Sequence, residues 1–258
     1  MSAKIVTAAM LAIGDELLSG RTKDKNIGHL ADFLTLKAID LKEVRIVSDE
    51  QDAIVSALNE LRKNYTYVFT SGGIGPTHDD ITADAVAVAM GVKIEHDARA
   101  MKLLGDYYKM RKIEFTPARQ RMARIPVGAD LIDNSISVAP GFTIKNVHVM
   151  AGVPSVFQAM LDSLEPNLVS GIQMLSKAID STFPEGTIGG PLADIQKNHP
   201  NTSIGSYPKF EKDKYSTQIV IRARKQDYLD NAVNDVNLMF KQLINSKNAL
   251  EHKHDPGT

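Results

Sequence analysis

Residues 70–82 run Thr-Ser-Gly-Gly-Ile-Gly-Pro-Thr-His-Asp-Asp-Ile-Thr. Gly72, Gly73 and Gly75 let the backbone take positive φ and bring its N–H groups close to a ligand. Ser71, Pro76 and Thr77 flank them, with Pro76 stiffening the exit. Ahead lies Tyr65-Thr-Tyr-Val-Phe-Thr70, a β-branched and aromatic run suited to a buried strand. Behind, Thr82 is expected to cap a helix over residues 83–90 that Gly91 closes. Strand, glycine loop and helix N-terminus together hold anions, because N–H groups and the helix dipole converge on one spot. Asp79 and Asp80 set this loop apart from an ordinary phosphate cradle. Two carboxylates beside a phosphate repel it unless a cation lies between them, so the loop points to a metal–phosphate site with both acids as candidate ligands. The plainer alternative is a turn that merely joins strand to helix, with the Asp pair complementing the helix dipole.

The elements that position this loop alternate between strand and helix patterns. A strand is expected over residues 4–13, then a helix with Ile27, Leu30, Ala31 and Leu34 on one stripe. A second strand covers residues 41–47, after which Asp49 or Asp52 is expected to cap a helix carrying Ile54, Val55, Leu58 and Leu61. Residues 147–150 read as another central strand. Repeated β-α-β units imply a parallel sheet covered on both faces, with ligands at the carboxyl ends of its strands. Those ends carry Gly14-Asp15-Glu16, Ser48-Asp49-Glu50 and the glycine loop, which together make a site.

The whole chain sets the bounds. Its 258 residues are 43% hydrophobic with a formal charge of −1, the balance of an ordinary globular protein that needs neither nucleic acid nor a charged membrane as partner. The cysteine count of 0 removes disulfides, thiolate catalysis and zinc–thiolate or iron–sulfur sites from consideration. Lys4 followed by the apolar run to Ile13 imitates a short signal peptide, but the run passes into Gly14-Asp15-Glu16 without a cleavage site and reads as a buried first strand. No segment approaches the ~20 apolar residues that span a bilayer, and a cytoplasmic location is expected.

Residues 93–124 hold nine Lys/Arg against four acids. This reads either as a solvated helical face or as a basic rim that steers a polyanionic substrate toward the glycine loop. A boundary is expected near residues 165–171, giving a first domain over 1–168 and a small α+β domain over 169–247. The small domain's pattern is strand (171–178), helix (188–198), strand (202–207), strand (216–224) and helix (227–245). Its Gly186-Thr187-Ile188-Gly189 is formally the GxxG of RNA-binding KH modules, yet residues 171–247 carry a net charge of only +2, so a structural role is expected rather than nucleic-acid binding. Residues 248–258 are expected to form a disordered tail.

Ile13-Gly14-Asp15-Glu16-Leu17-Leu18-Ser19-Gly20 with Asn26, the Ser48-Asp49-Glu50 turn and the Gly72 to Thr82 loop closely resemble the MoaB/Mog molybdopterin-binding family. More narrowly they are similar to its CinA (competence/damage-inducible) branch and to the corresponding domain of FAD synthase. Ala139-Pro140-Gly141-Phe142 and Gly152-Val153-Pro154 fit the same branch, and the small domain is similar to the KH-like module that follows in CinA. The resemblance implies a three-layer α/β/α fold with a mostly parallel sheet. It implies a phosphorylated small molecule, nucleotide or pterin, as ligand and a homo-oligomer, dimer or trimer. Gly14, Asp15, Glu16, Asn26, Ser71, Gly72, Gly73, Gly75, Pro76, Thr77, Pro140, Gly141, Gly152, Val153 and Pro154 are then the expected ligand-binding positions. Asp49 and Asp80 are the expected catalytic residues, with Asp49 or Glu16 orienting the attacking water, and Mg²⁺, or Mn²⁺ or Co²⁺ in its place, is expected at Asp79 and Asp80. Two chemistries are implied: metal-dependent hydrolysis of nucleotide pyrophosphates such as ADP-ribose or FAD, or binding of molybdopterin. Two departures stand out. Asn134-Ser135-Ile136-Ser137 replaces Asn-Pro-x-Gly, and Val156 stands where relatives carry Glu.

Overall fold

A computed structural model describes residues 4–211 and 214–251, which fall into two compact units divided between Ile172 and Gln173. The first unit runs β1 (Val6–Ile13), α1 (Asp15–Leu18), α2 (Asn26–Leu36), β2 (Ile39–Val47), α3 (Gln51–Asn64), β3 (Tyr67–Ser71) and α4 (Thr82–Met90). It continues with β4 (Ile94–His96), α5 (Ala98–Met110), α6 (Pro117–Gln120), β5 (Arg124–Pro126), β6 (Asp130–Ile132), β7 (Gly141–Ile144), β8 (Val147–Met150) and α7 (Pro154–Leu164). Among the described residues six strands form the main sheet in the order β2-β1-β3-β8-β7-β6. The first four are mutually parallel, and β7, which pairs antiparallel with both β8 and β6, alone runs against the rest, so the sheet is mostly parallel, as expected.

The alternation of β1 explains the layering. Ala9, Leu11 and Ile13 point to a core shared with Ile54 and Leu58 of α3, Val86 of α4 and Leu104 of α5. Ala8 and Met10 point the other way, to Leu30 and Leu34 of α2 and Phe157 and Leu161 of α7. A strand covered on both faces has no position for a charge, which is why its sequence is an unbroken apolar run. The result is the expected three-layer α/β/α arrangement, and it delivers the carboxyl ends of β1, β2, β3 and β8 to one edge.

Two local expectations need correction. Thr82 does not cap α4; it is the first helical residue, Ile81 occupies the cap position without a side-chain bond, and the Thr82 hydroxyl is buried without a partner. Neither Asp49 nor Asp52 caps α3, whose cap position is Glu50 with no side-chain bond, because Asp49 is engaged by the β1 end instead. Gly91 does close α4, in the left-handed conformation.

In the segment 93–124 most charge is locally paired. Arg99 meets Asp97, Lys102 meets Asp106, Arg124 meets Asp84, and Arg111 and Arg119 lie over the rings of Tyr107 and Tyr108. Arg121 instead turns toward the glycine loop.

The second unit consists of β9 (Leu175–Ser181), α8 (Glu185–Asn198), β10 (Thr202–Glu211), β11 (Lys214–Ala223) and α9 (Gln226–Glu251). Its antiparallel sheet, in the order β10-β11-β9, packs Ile219 and Ile221 against Ile188 and Leu192 of α8 and Val236 and Met239 of α9. Gly186 to Gly189 falls in the first turns of α8, so the GxxG forms no loop that could clamp a nucleic-acid backbone. Of the expected tail, residues 248–251 belong to α9, and residues 252–258 lie outside the described residues. Among the described residues no helix is long and apolar enough to cross a membrane.

Candidate functional site

The strand ends are tied to one another by main-chain bonds. The Gly14 N–H donates to the Val47 carbonyl at 3.1 Å, joining β1 to β2, and the Gly72 N–H donates to the Met150 carbonyl at 3.1 Å, joining β3 to β8. Gly72 has φ +109, and a Cβ there would lie 2.2 Å from the Ile13 carbonyl oxygen, so the loop passes too close to β1 for any side chain. The Gly73 carbonyl takes the Thr82 N–H at 3.0 Å, which draws the start of α4 over the loop.

Side chains complete the frame. Asn26, at the start of α2, is 3% exposed and donates from Nδ2 to Ser71 Oγ and to the Gly152 carbonyl, both at 2.8 Å. One amide thus spans the end of β3 and the turn before α7. The Asp15 N–H donates to Asp49 Oδ2 at 2.9 Å. Asp80 Oδ2 accepts from the Thr77 N–H at 2.8 Å and the Thr77 hydroxyl at 2.5 Å, so this acid closes its own turn rather than capping a helix. Asn134 accepts from the Ile136 N–H and donates to the Ala139 carbonyl, holding the turn that replaces the family's Asn-Pro-x-Gly.

Between these pieces lies a cleft of about 500 Å³. Of the expected positions Glu16, Gly72, Gly73, Gly75, Asp80, Pro140, Gly152, Val153 and Pro154 line it. Gly14, Asp15, Asn26, Asp49, Ser71, Pro76, Thr77, Asp79 and Gly141 do not, but several hold the lining in place through the bonds above. Gly141 is in β7, where a Cβ would stand 2.4 Å from the Val149 carbonyl, a packing constraint. Met122, Ser137, Val156 and Met160 also line the cleft and were not singled out as ligand positions. Periodicity and motif spacing give no sign of the methionines, which reach the cleft by tertiary packing.

Burial raises the pKa of Asp49 above the ordinary carboxylate range, and the charges of Asp15, Glu16 and Asp79 add to this, against the lowering by the Asp15 N–H. Among the described residues no group of three or more His, Cys, Asp or Glu converges into a ready-made cation cage. A hard cation held by one carboxylate and the phosphate oxygens of a ligand needs no such cage, and the place of Asp80 on the cleft wall fits that donor set.

Comparison with known proteins agrees with this geometry. A family described as "Probable molybdopterin binding domain" matches residues 9–169, and one described as "FAD synthase, middle domain" matches residues 173–248. A protein of Metallosphaera sedula is 35% identical over 256 residues, covering 93% of this chain and 95% of its own. A protein of Saccharolobus solfataricus is 32% identical over 220 residues, covering 79% and 81%. The crystal structure of the protein CinA from Thermoplasma acidophilum, described as of unknown function, superposes with TM-score 0.59 at 30% identity over 63% of this chain and 98% of that one. The chain therefore belongs to the molybdopterin-binding domain family, in its CinA-like form.

Proposed function

We propose that the first unit is a metal-dependent nucleotide pyrophosphatase acting on ADP-ribose or FAD-like substrates. The observation that carries this reading is Asp80 on the wall of a cleft whose floor is the glycine loop, so that a carboxylate and a phosphate cradle face one space. Main-chain N–H groups of Gly73 and Gly75 would hold one phosphoryl group, that of Gly72 being spent on the Met150 carbonyl, and they favour the charge that grows on its oxygens during substitution. A divalent cation, Mg²⁺ with Mn²⁺ or Co²⁺ as substitutes, would be held by Asp80 with Asp79 beside it and would neutralise the phosphate oxygens. Glu16, on the cleft wall, is assigned as the base for the attacking water, and Asp49, whose Oδ2 accepts the Asp15 N–H, positions the segment that carries it. Water oxygen attacks phosphorus, the bridging P–O bond breaks, and ADP-ribose yields AMP and ribose 5-phosphate.

The test is AMP release from ADP-ribose or FAD by the purified protein with each of the three metals. Asp80→Ala is expected to abolish release, and an unchanged rate would remove Asp80 from the mechanism. A second reading, a non-catalytic binding module for molybdopterin or a nucleotide, is favoured by Val156 on the cleft wall where relatives carry an acid. It holds if calorimetry detects ligand while no metal supports turnover. A dimer or trimer is proposed from the resemblance alone, and sedimentation measures it.

A further inference from the structure

Next to the main cleft is a second, small cavity of about 20 Å³. The two share Gly73, Gly75 and Asp80 in their walls, and the small one adds Ala83 at the start of α4 and Arg121. Such a volume holds about one water-sized atom, so it admits a single oxygen of a larger group seated in the main cleft. In this wall the buried Arg121 Nε has no hydrogen-bond partner, and neither has the Thr82 hydroxyl, which lies beside Gly73. Arg121 Nη2 donates to the Asp80 carbonyl at 3.3 Å, which anchors the guanidinium at the loop and leaves Nε unspent. A guanidinium stays charged at any physiological pH, so its buried, unsatisfied N–H is costly to keep. The neighbouring Arg124 in the same wall is already held in a two-bond pair by Asp84.

We propose that Arg121 is a phosphate-binding residue of the cleft: its Nε–H and guanidinium charge receive one phosphoryl oxygen of a pyrophosphate-bearing ligand in the small cavity. The inference rests on the phosphoryl-site reading above and adds to it a residue that the glycine loop and the acids do not supply, a cation from the chain itself. It also separates Arg121 from the rest of the basic segment, whose charges are mostly spent locally.

Calorimetric titration with inorganic pyrophosphate and with ADP-ribose tests this in wild type, Arg121→Gln, Arg121→Ala and Arg111→Gln. A lost charged hydrogen bond should weaken both ligands roughly tenfold or more in the two Arg121 variants. Arg111→Gln, which alters a side chain stacked on Tyr107, should leave binding unchanged. Guanidinium ion added to Arg121→Ala should restore pyrophosphate binding, as a collapsed loop would not allow. Wild-type affinity in Arg121→Gln overturns the proposal, and so does a loss in Arg121→Ala that guanidinium fails to rescue. Binding without AMP release defeats the pyrophosphatase reading and leaves Arg121 in place. A wild type that binds neither ligand defeats both.

Discussion

Replacing Asn26 probes the frame of the cleft at its most connected point. Its Nδ2 serves Ser71 Oγ and the Gly152 carbonyl from a position 3% exposed to solvent. Asn26→Ala leaves both acceptors buried without that donor, at about 1–3 kcal/mol each. The Ser71 hydroxyl can turn to another partner, so we expect a total of about 2–4 kcal/mol. Asn26→Asp is the more discriminating change because its shape is conserved. Protonated, the carboxyl can still donate to Gly152; ionised, it places an oxygen against a carbonyl oxygen that cannot turn away. Its folded pKa must then rise above the unfolded value of about 3.9. A raised carboxyl pKa gives stability that is fully present below the unfolded value and is lost as pH rises through the folded value. The slope is about 1.4 kcal/mol per pH unit, so a rise of about three units costs about 4 kcal/mol between roughly pH 4 and 7. Urea unfolding of the full chain, read by hydrogen exchange at β1 and β3 amides, isolates the first unit. A difference between Asn26→Asp and wild type that stays flat across that pH range would refute the reasoning.

Other outcomes follow from the same geometry. Gly72→Ala puts a Cβ 2.2 Å from the Ile13 carbonyl and should largely prevent folding, whereas Gly91→Ala, also at positive φ (+68) but in open space, should cost about 1–2 kcal/mol; equal effects in thermal melts would contradict the close-approach argument. Asp49→Asn removes a charge whose folded pKa is raised and keeps an acceptor for the Asp15 N–H. It should raise Tm at neutral pH with a gain that fades as pH falls into the ordinary carboxylate range, while Glu16→Gln, on the cleft wall, should lose activity in the AMP assay. His148 is 5% exposed beside the rings of Tyr67 and Phe69, and burial lowers its pKa from 6.5 to about 4. The native state then binds fewer protons than the unfolded chain in that window, so about 3 kcal/mol of stability is lost as pH falls from about 6.5 to about 4, at 1.36 kcal/mol per unit. His148→Phe should remove that component from the pH dependence of unfolding.

Much of the frame is legible in the residues. The unbroken apolar run of β1 could only be a strand covered on both faces, and the stripes of α2 and α3 named the residues that cover it. Less legible were the small capping choices. Thr82, Asp49 and Asp52 each have the chemistry of a helix cap, but the Thr82 N–H is drawn to the Gly73 carbonyl and Asp49 to the Asp15 N–H, and local propensity does not foresee those tertiary bonds. The small net charge of the small domain already set its GxxG apart from a nucleic-acid clamp. Glycines are compatible with a loop but do not compel one, and the apolar contacts of Ile188 and Leu192 carry the helix through them.

By itself the sequence determined the alternating β-α order, the glycine loop and the acids at the strand ends. These follow from local periodicity and backbone freedom, which act over a few residues at a time. Tertiary structure decided which of those residues face a common space. Glu16 and Asp80 line the cleft while Asp49 and Asn26 support it, and Met122, Met160 and Val156 enter from distant elements. Arg121 is the sharpest case. In the sequence it is one charge among nine in a basic segment, and the packing of residues 121–124 against the loop is what leaves its Nε buried beside an opening the size of one phosphoryl oxygen. Burial and the direction of a hydrogen bond depend on what the rest of the chain brings alongside, and no local pattern encodes that.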